Sequence, residues 1–156
     1  MRILPLLAAL ALLGLTACKP PVASPPSGPP STDTSSAGLP DLRAKVEFLE
    51  KYVVFRRNYD ALEFNLRFMN GGEGRGIGPS EWDIRLYARI PDSEIAAWVP
   101  PGGTAIPRPA PEQLQWLAEI PNTSDLGGVG EWYEAGQVTV GLDRSRGIVV
   151  YRNWAR

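Results

Sequence analysis

Residues 61–69, ALEFNLRFM, alternate apolar and polar side chains: Leu62, Phe64, Leu66 and Phe68 against Glu63, Asn65 and Arg67. Successive side chains on an extended strand point to opposite faces, so a period of two specifies a strand with one face on a core and one in water. WDIRLYARI (82–90) repeats the pattern, with Trp82, Ile84, Leu86, Ala88 and Ile90 inward and Asp83, Arg85, Tyr87 and Arg89 outward. An antiparallel hairpin pairing Leu66 with Ile84 and Phe64 with Leu86 keeps both apolar rows on one side. The same register sets Arg67 opposite Asp83, a favourable cross-strand pair.

Downstream of the hairpin, EWY (131–133), QVTVGL (137–142) and GIVVYRNW (147–154) read as three further strands, separated by turns at Ala135-Gly136 and 143–147. In the last, both the Ile148/Val150 and the Val149/Tyr151 positions are apolar, which reads as a central strand of the sheet. Helical spacing occurs at Leu42, Val46, Leu49 and Val53, behind Asp41 as an N-cap. Two shorter helices are expected at 92–99, capped by Asp92, and at 112–119, with Leu114, Leu117 and Ala118 on the apolar side. The fold class is therefore α+β: an antiparallel sheet of about five strands with two or three helices packed on one face.

Upstream, Arg2 precedes an apolar run from Ile3 to Ala17, too short to span a bilayer and built like a secretory signal peptide. It ends in Leu15-Thr16-Ala17-Cys18, and Cys18 is the only cysteine of the chain. These four residues resemble the lipobox of bacterial lipoproteins. The resemblance covers residues 1–18 and implies cleavage before Cys18, with diacylglycerol on its sulfur and a fatty acyl group on its new amine. Two or three acyl chains hold a protein on a membrane surface without spanning it. Lys19 in the position after the cysteine leans, within the lipoprotein pattern, towards the outer rather than the inner membrane. Chemistry agrees with acylation, since a lone thiol in an oxidising compartment has no intramolecular disulfide partner.

Lys19 to Pro40 consists almost wholly of Pro, Ser, Thr, Gly and Ala. Such a composition buries too little apolar surface to offset the entropy of ordering it. At about 3.1 Å per residue in the polyproline conformation, it would reach about 60 to 70 Å. The expected organisation is thus a signal peptide at 1–17, lipidated Cys18 and a flexible tether at 18–41, and one globular domain at 42–156.

Composition excludes several kinds of chemistry. The chain contains no histidine, which removes Ser-His-Asp and Cys-His catalysis and any imidazole metal site. No Asp-x-Asp-x-Asp-Gly calcium loop is present, so neither a metal nor a cofactor is expected. A net charge of −1, made one unit more negative by removal of Arg2, gives no basic excess for nucleic acid. The loop between the hairpin strands contains five glycines, yet they follow neither dinucleotide nor P-loop spacing and no helix follows to receive a phosphate. Glu131 and Glu134 in GEWYE, beside Trp132 and Tyr133, resemble a carboxylate pair for glycan chemistry, but residues three apart on a strand point to opposite faces. The five tryptophans read as core and edge packing, and the excess of 13 arginines over 3 lysines suits interfaces without requiring one.

The expectation that follows is a lipid-anchored envelope protein facing the periplasm, whose domain is a non-catalytic module for an envelope protein partner. The alternative is glycan binding or hydrolysis through carboxylates and aromatics. Glu73 and Arg75 in the glycine-rich loop, with Arg67, Arg85 and Arg89 on the outward sheet face, are the candidate partner-binding residues, and Cys18 is the lipid attachment site.

Overall fold

The computed structural model describes residues 29–55, 57–71, 80–123 and 126–155. Among the described residues, seven strands form one antiparallel sheet: β1 (Thr32–Ser35), β2 (Ala61–Met69), β3 (Glu81–Arg89), β4 (Thr104–Ile106), β5 (Glu131–Ala135), β6 (Val138–Asp143) and β7 (Ile148–Ala155). Their spatial order is β1-β2-β3-β7-β6-β5-β4, which places the doubly apolar β7 at the centre. The hairpin has the register that its pattern demands, with Leu66 opposite Ile84, Phe64 opposite Leu86 and Arg67 opposite Asp83.

All five expected strands are present, and two more lie at the edges. β4 sits within the Pro- and Gly-rich segment after Pro100. β1 comes from residues whose composition reads as tether, so the sheet begins ahead of Leu42. Its anchor is Ser36, fully buried, whose hydroxyl accepts from the Phe64 backbone N–H at 2.9 Å and donates to Glu63 Oε2 at 2.6 Å. A polar residue buried with both roles satisfied holds a segment that hydrophobicity alone would leave loose.

Cover lies on both faces of the sheet, not on one. On the first face, Leu62, Phe64, Leu66, Ile84, Leu86, Val140, Leu142 and Val149 form the main core. It is closed by α1 (Leu42–Leu49) and by 3₁₀ turns at Asp92–Trp98. Asp41 caps α1 as expected, its carboxylate accepting from Ala44 N–H at 2.8 Å. Asp92 is no cap: Pro91 takes that position, without a side-chain bond. Trp98 packs beside Phe55 and Tyr151, with ring centroids 5.0 and 6.1 Å away.

On the second face, Tyr87, Trp132, Ile148 and Val150 meet Trp116, Leu117 and Ile120 of the 111–120 segment. Pro111–Glu119 is 3₁₀, with side chains three apart eclipsed, so Leu114 and Leu117 align ahead of the C-cap Ile120 while Ala118 is exposed. Tyr87, expected to face water, is buried here for the same reason. Gly141 makes the close approach possible. A Cβ there would stand 2.7 Å from both Val129 Cγ1 and Val150 Cγ2.

Candidate functional site

The second core covers only part of its face. Paired residues of an antiparallel ladder share a side, so the register can be followed in rows across the strands. One row runs Asp33, Arg67, Asp83, Trp154 over β1, β2, β3 and β7. The next runs Ser35, Asn65, Arg85, Arg152. Met69 and Glu81 close the end of the hairpin. Across β1, β2 and β3 these rows floor an open groove of about 390 Å³, walled on one side by Glu119 at the end of the 3₁₀ segment, and on β7 Arg152 and Trp154 carry them on to a smaller recess beside it. Asn65 ties that wall to the floor by donating Nδ2–H to the Glu119 carbonyl at 2.5 Å.

Asp83 is the electrostatic hub. Arg85 Nη2 lies 2.6 Å and Arg152 Nη2 3.0 Å from its Oδ2, and Arg152 Nε donates to Oδ1 at 3.1 Å. Arg85 also pairs with Glu119. Partial burial would raise the Asp83 pKa, but hydrogen bonds and charge from the two guanidiniums outweigh it and hold the carboxyl below the usual range. A carboxylate held so low and saturated with donors is a poor proton acceptor, since a general base works best with a pKa near the operating pH.

The candidate residues divide in the structure. Arg67 is exposed on the groove floor and makes no ion pair among the described residues. Arg85 is on the same floor but committed to Asp83 and Glu119, its side chain 19% exposed. Arg89 shares their face but lies past the buried Tyr87, four residues and about 13 Å along β3 from Arg85. Cys18, Glu73 and Arg75 lie outside the described residues. Among the described residues, no group of three or more Cys, Asp or Glu side chains could hold a metal ion.

Glu131 and Glu134 are on opposite faces of β5. Glu131 pairs with Arg144 at 2.8 Å and accepts from Tyr133 Oη–H at 3.1 Å, whereas Glu134 is exposed on the second face. Trp98, Trp116 and Trp132 are core residues, but Trp154 is 42% exposed with the Arg152 guanidinium 5.9 Å from its ring centroid. Three residues in or beside the groove, Asp33, Glu119 and Arg152, have no individual signal in the sequence. Asp33 stands in a tether-like composition, and the other two reach the groove only through tertiary packing.

Compared with protein families, with curated proteins and with solved structures, the chain finds no match in any of the three.

Proposed function

We propose that the chain is a lipid-anchored bacterial envelope protein, held at a membrane through Cys18 and facing the periplasm, at the outer membrane rather than the inner. Its domain acts as a non-catalytic protein-interaction module of the inhibitor, immunity or assembly-accessory kind. The observation that carries this reading is the open groove, where Arg67 makes no ion pair among the described residues while Asp83, Arg85 and Arg152 satisfy one another. Preorganised charge beside exposed aromatic and aliphatic side chains suits protein recognition. The test is a pull-down from bacterial envelope extract with the full chain. One stoichiometric protein, its capture altered by Arg67→Glu and unaffected by Arg43→Glu on α1, supports the reading; no enriched protein removes it.

A glycan-binding reading has one observation in its favour. Glu134 and Trp154 line a small recess with Thr139 and Gln113, a mix of aromatic and polar groups suited to a sugar ring. Saturable binding of peptidoglycan fragments, abolished by Trp154→Ala, would establish it.

A further inference from the structure

The groove carries more charge than its floor neutralises. Asp83, Arg85, Arg152 and Glu119 consume one another, whereas Asp33 and Glu81, both lining the groove, are exposed and make no ion pair among the described residues. Against these two carboxylates stands one guanidinium lining the groove that makes no ion pair among the described residues, Arg67. The unmatched field is negative, which repels phosphate headgroups and nucleic acid and favours a cation.

Apolar contact is available beside the charge. Among the described residues, three large hydrophobic side chains are exposed, Val54, Met69 and Trp154. Two of them, Met69 and Trp154, share the groove's face. Methionine, tryptophan and arginine are the residues that interfaces concentrate, and a free cation or polyamine would leave both apolar groups in water. With strands about 4.8 Å apart, the row from Asp33 to Trp154 is about 14 Å long, the reach of about five extended residues.

We infer that the open half of the second sheet face receives a short lysine- or arginine-bearing segment of a protein partner, laid across β1, β2, β3 and β7. The cationic side chains meet Asp33 and Glu81, and an apolar side chain covers Trp154. Arg67 between the two carboxylates disfavours an unbroken run of positive charge, so the favoured ligand alternates basic and apolar residues. This rests on the interaction-module reading and gives that module a partner chemistry.

The experiment is an NMR titration of the full chain in an uncharged detergent, with the capped peptide Lys-Val-Lys-Val-Lys as probe and its glutamate counterpart and spermine as controls. The expected result is saturable shifts of the Trp154 indole N–H and of the amides of 33, 67 and 81–85, with the lysine peptide only. Asp33→Lys combined with Glu81→Lys should weaken binding at least tenfold, while Glu47→Lys on the far face stays within twofold. Both sites are exposed, and an unchanged far-ultraviolet dichroism spectrum checks the fold. The inference falls if the lysine peptide does not saturate or perturbs another face. It falls equally if the glutamate peptide or spermine binds as tightly, or if Glu47→Lys costs as much as the pair. Capture of a stoichiometric partner insensitive to the Asp33/Glu81 pair overturns this site and leaves the interaction module standing.

Discussion

Lys45 Nζ lies 2.7 Å from Glu63 Oε1, and both side chains are largely buried, at 15% and 14% exposure. Lys45 belongs to α1 on the first face and Glu63 to β2, past the end of β1. The same carboxylate accepts from Ser36 Oγ–H at 2.6 Å and from Asn122 Nδ2–H at 3.4 Å, the latter from the cover of the second face. One side chain therefore joins both covering layers and the first edge strand.

Glu63→Ala should cost about 2 kcal/mol or more, because it strands a largely buried ammonium and a buried hydroxyl donor together. Ser36→Ala removes both hydrogen bonds of the hydroxyl, the one accepted from Phe64 N–H included, and should cost about 1 to 2 kcal/mol. Urea unfolding of the two variants measures the difference. Equal losses would mean that the charge pair adds nothing beyond the hydroxyl.

Stability should fall on acidification. For Glu63, burial pushes the pKa up, but hydrogen bonds from Lys45, Ser36 and Asn122 and the Lys45 charge prevail and depress it; Asp83 is depressed in the same way by Arg85 and Arg152. A depressed folded pKa contributes stability that is present above the unfolded values of 4.5 and 3.8 and is lost as pH falls through the folded ones. With no histidine in the chain, the plateau between about pH 6 and 8 should be flat. Chemical unfolding across pH 2 to 8 tests this, and Asp83→Asn should reduce the acid slope.

The alkaline side has the opposite sign. Burial raises the pKa of Tyr59, with the Glu50 charge adding to it, and raises that of Tyr151 against a hydrogen bond with Asn153. Their contribution is whole below the unfolded value of 10.0 and disappears as pH climbs through the folded values. The Tyr59 hydroxyl is also buried without a hydrogen-bond partner among the described residues. Tyr59→Phe should therefore be neutral or stabilising by up to about 1 kcal/mol at pH 7 and should flatten the alkaline limb. A loss above about 1 kcal/mol would show that the hydroxyl is satisfied in solution.

Gly141→Ala should destabilise by about 1 to 3 kcal/mol, since the new methyl meets packed Val129, Val150 and Trp132 side chains. Gly38→Ala, with nothing within 4 Å of its Cβ, serves as the control and should be near neutral. Thermal unfolding separates the two.

Cys18→Ala should release the protein from membranes or leave the signal peptide uncleaved. Fractionation with an antibody against the domain reads both outcomes. Continued processing with retention at the membrane would place the anchor elsewhere.

The hairpin register, the central place of β7 and the Asp41 cap were readable because each depends on a local period or a local hydrogen bond. A row of apolar side chains two apart on β2 and β3 has one register that buries both rows, so Leu66 had to meet Ile84. β1 and β4 were not readable: edge strands of four and three residues are too short for a period, and Pro, Gly, Ser and Thr mark turns as readily as edges. The burial of Tyr87 and the exposure of Ala118 likewise depended on a 3₁₀ segment docking on the second face, a nonlocal event. So did the groove, for Asp33, Asp83, Glu119 and Arg152 are far apart in the chain. Alternation alone determined which side chains share a face. Only tertiary packing decided how much of that face stayed open and which of its charges were left without a partner, because neutralisation depends on distances across strands that no local pattern encodes.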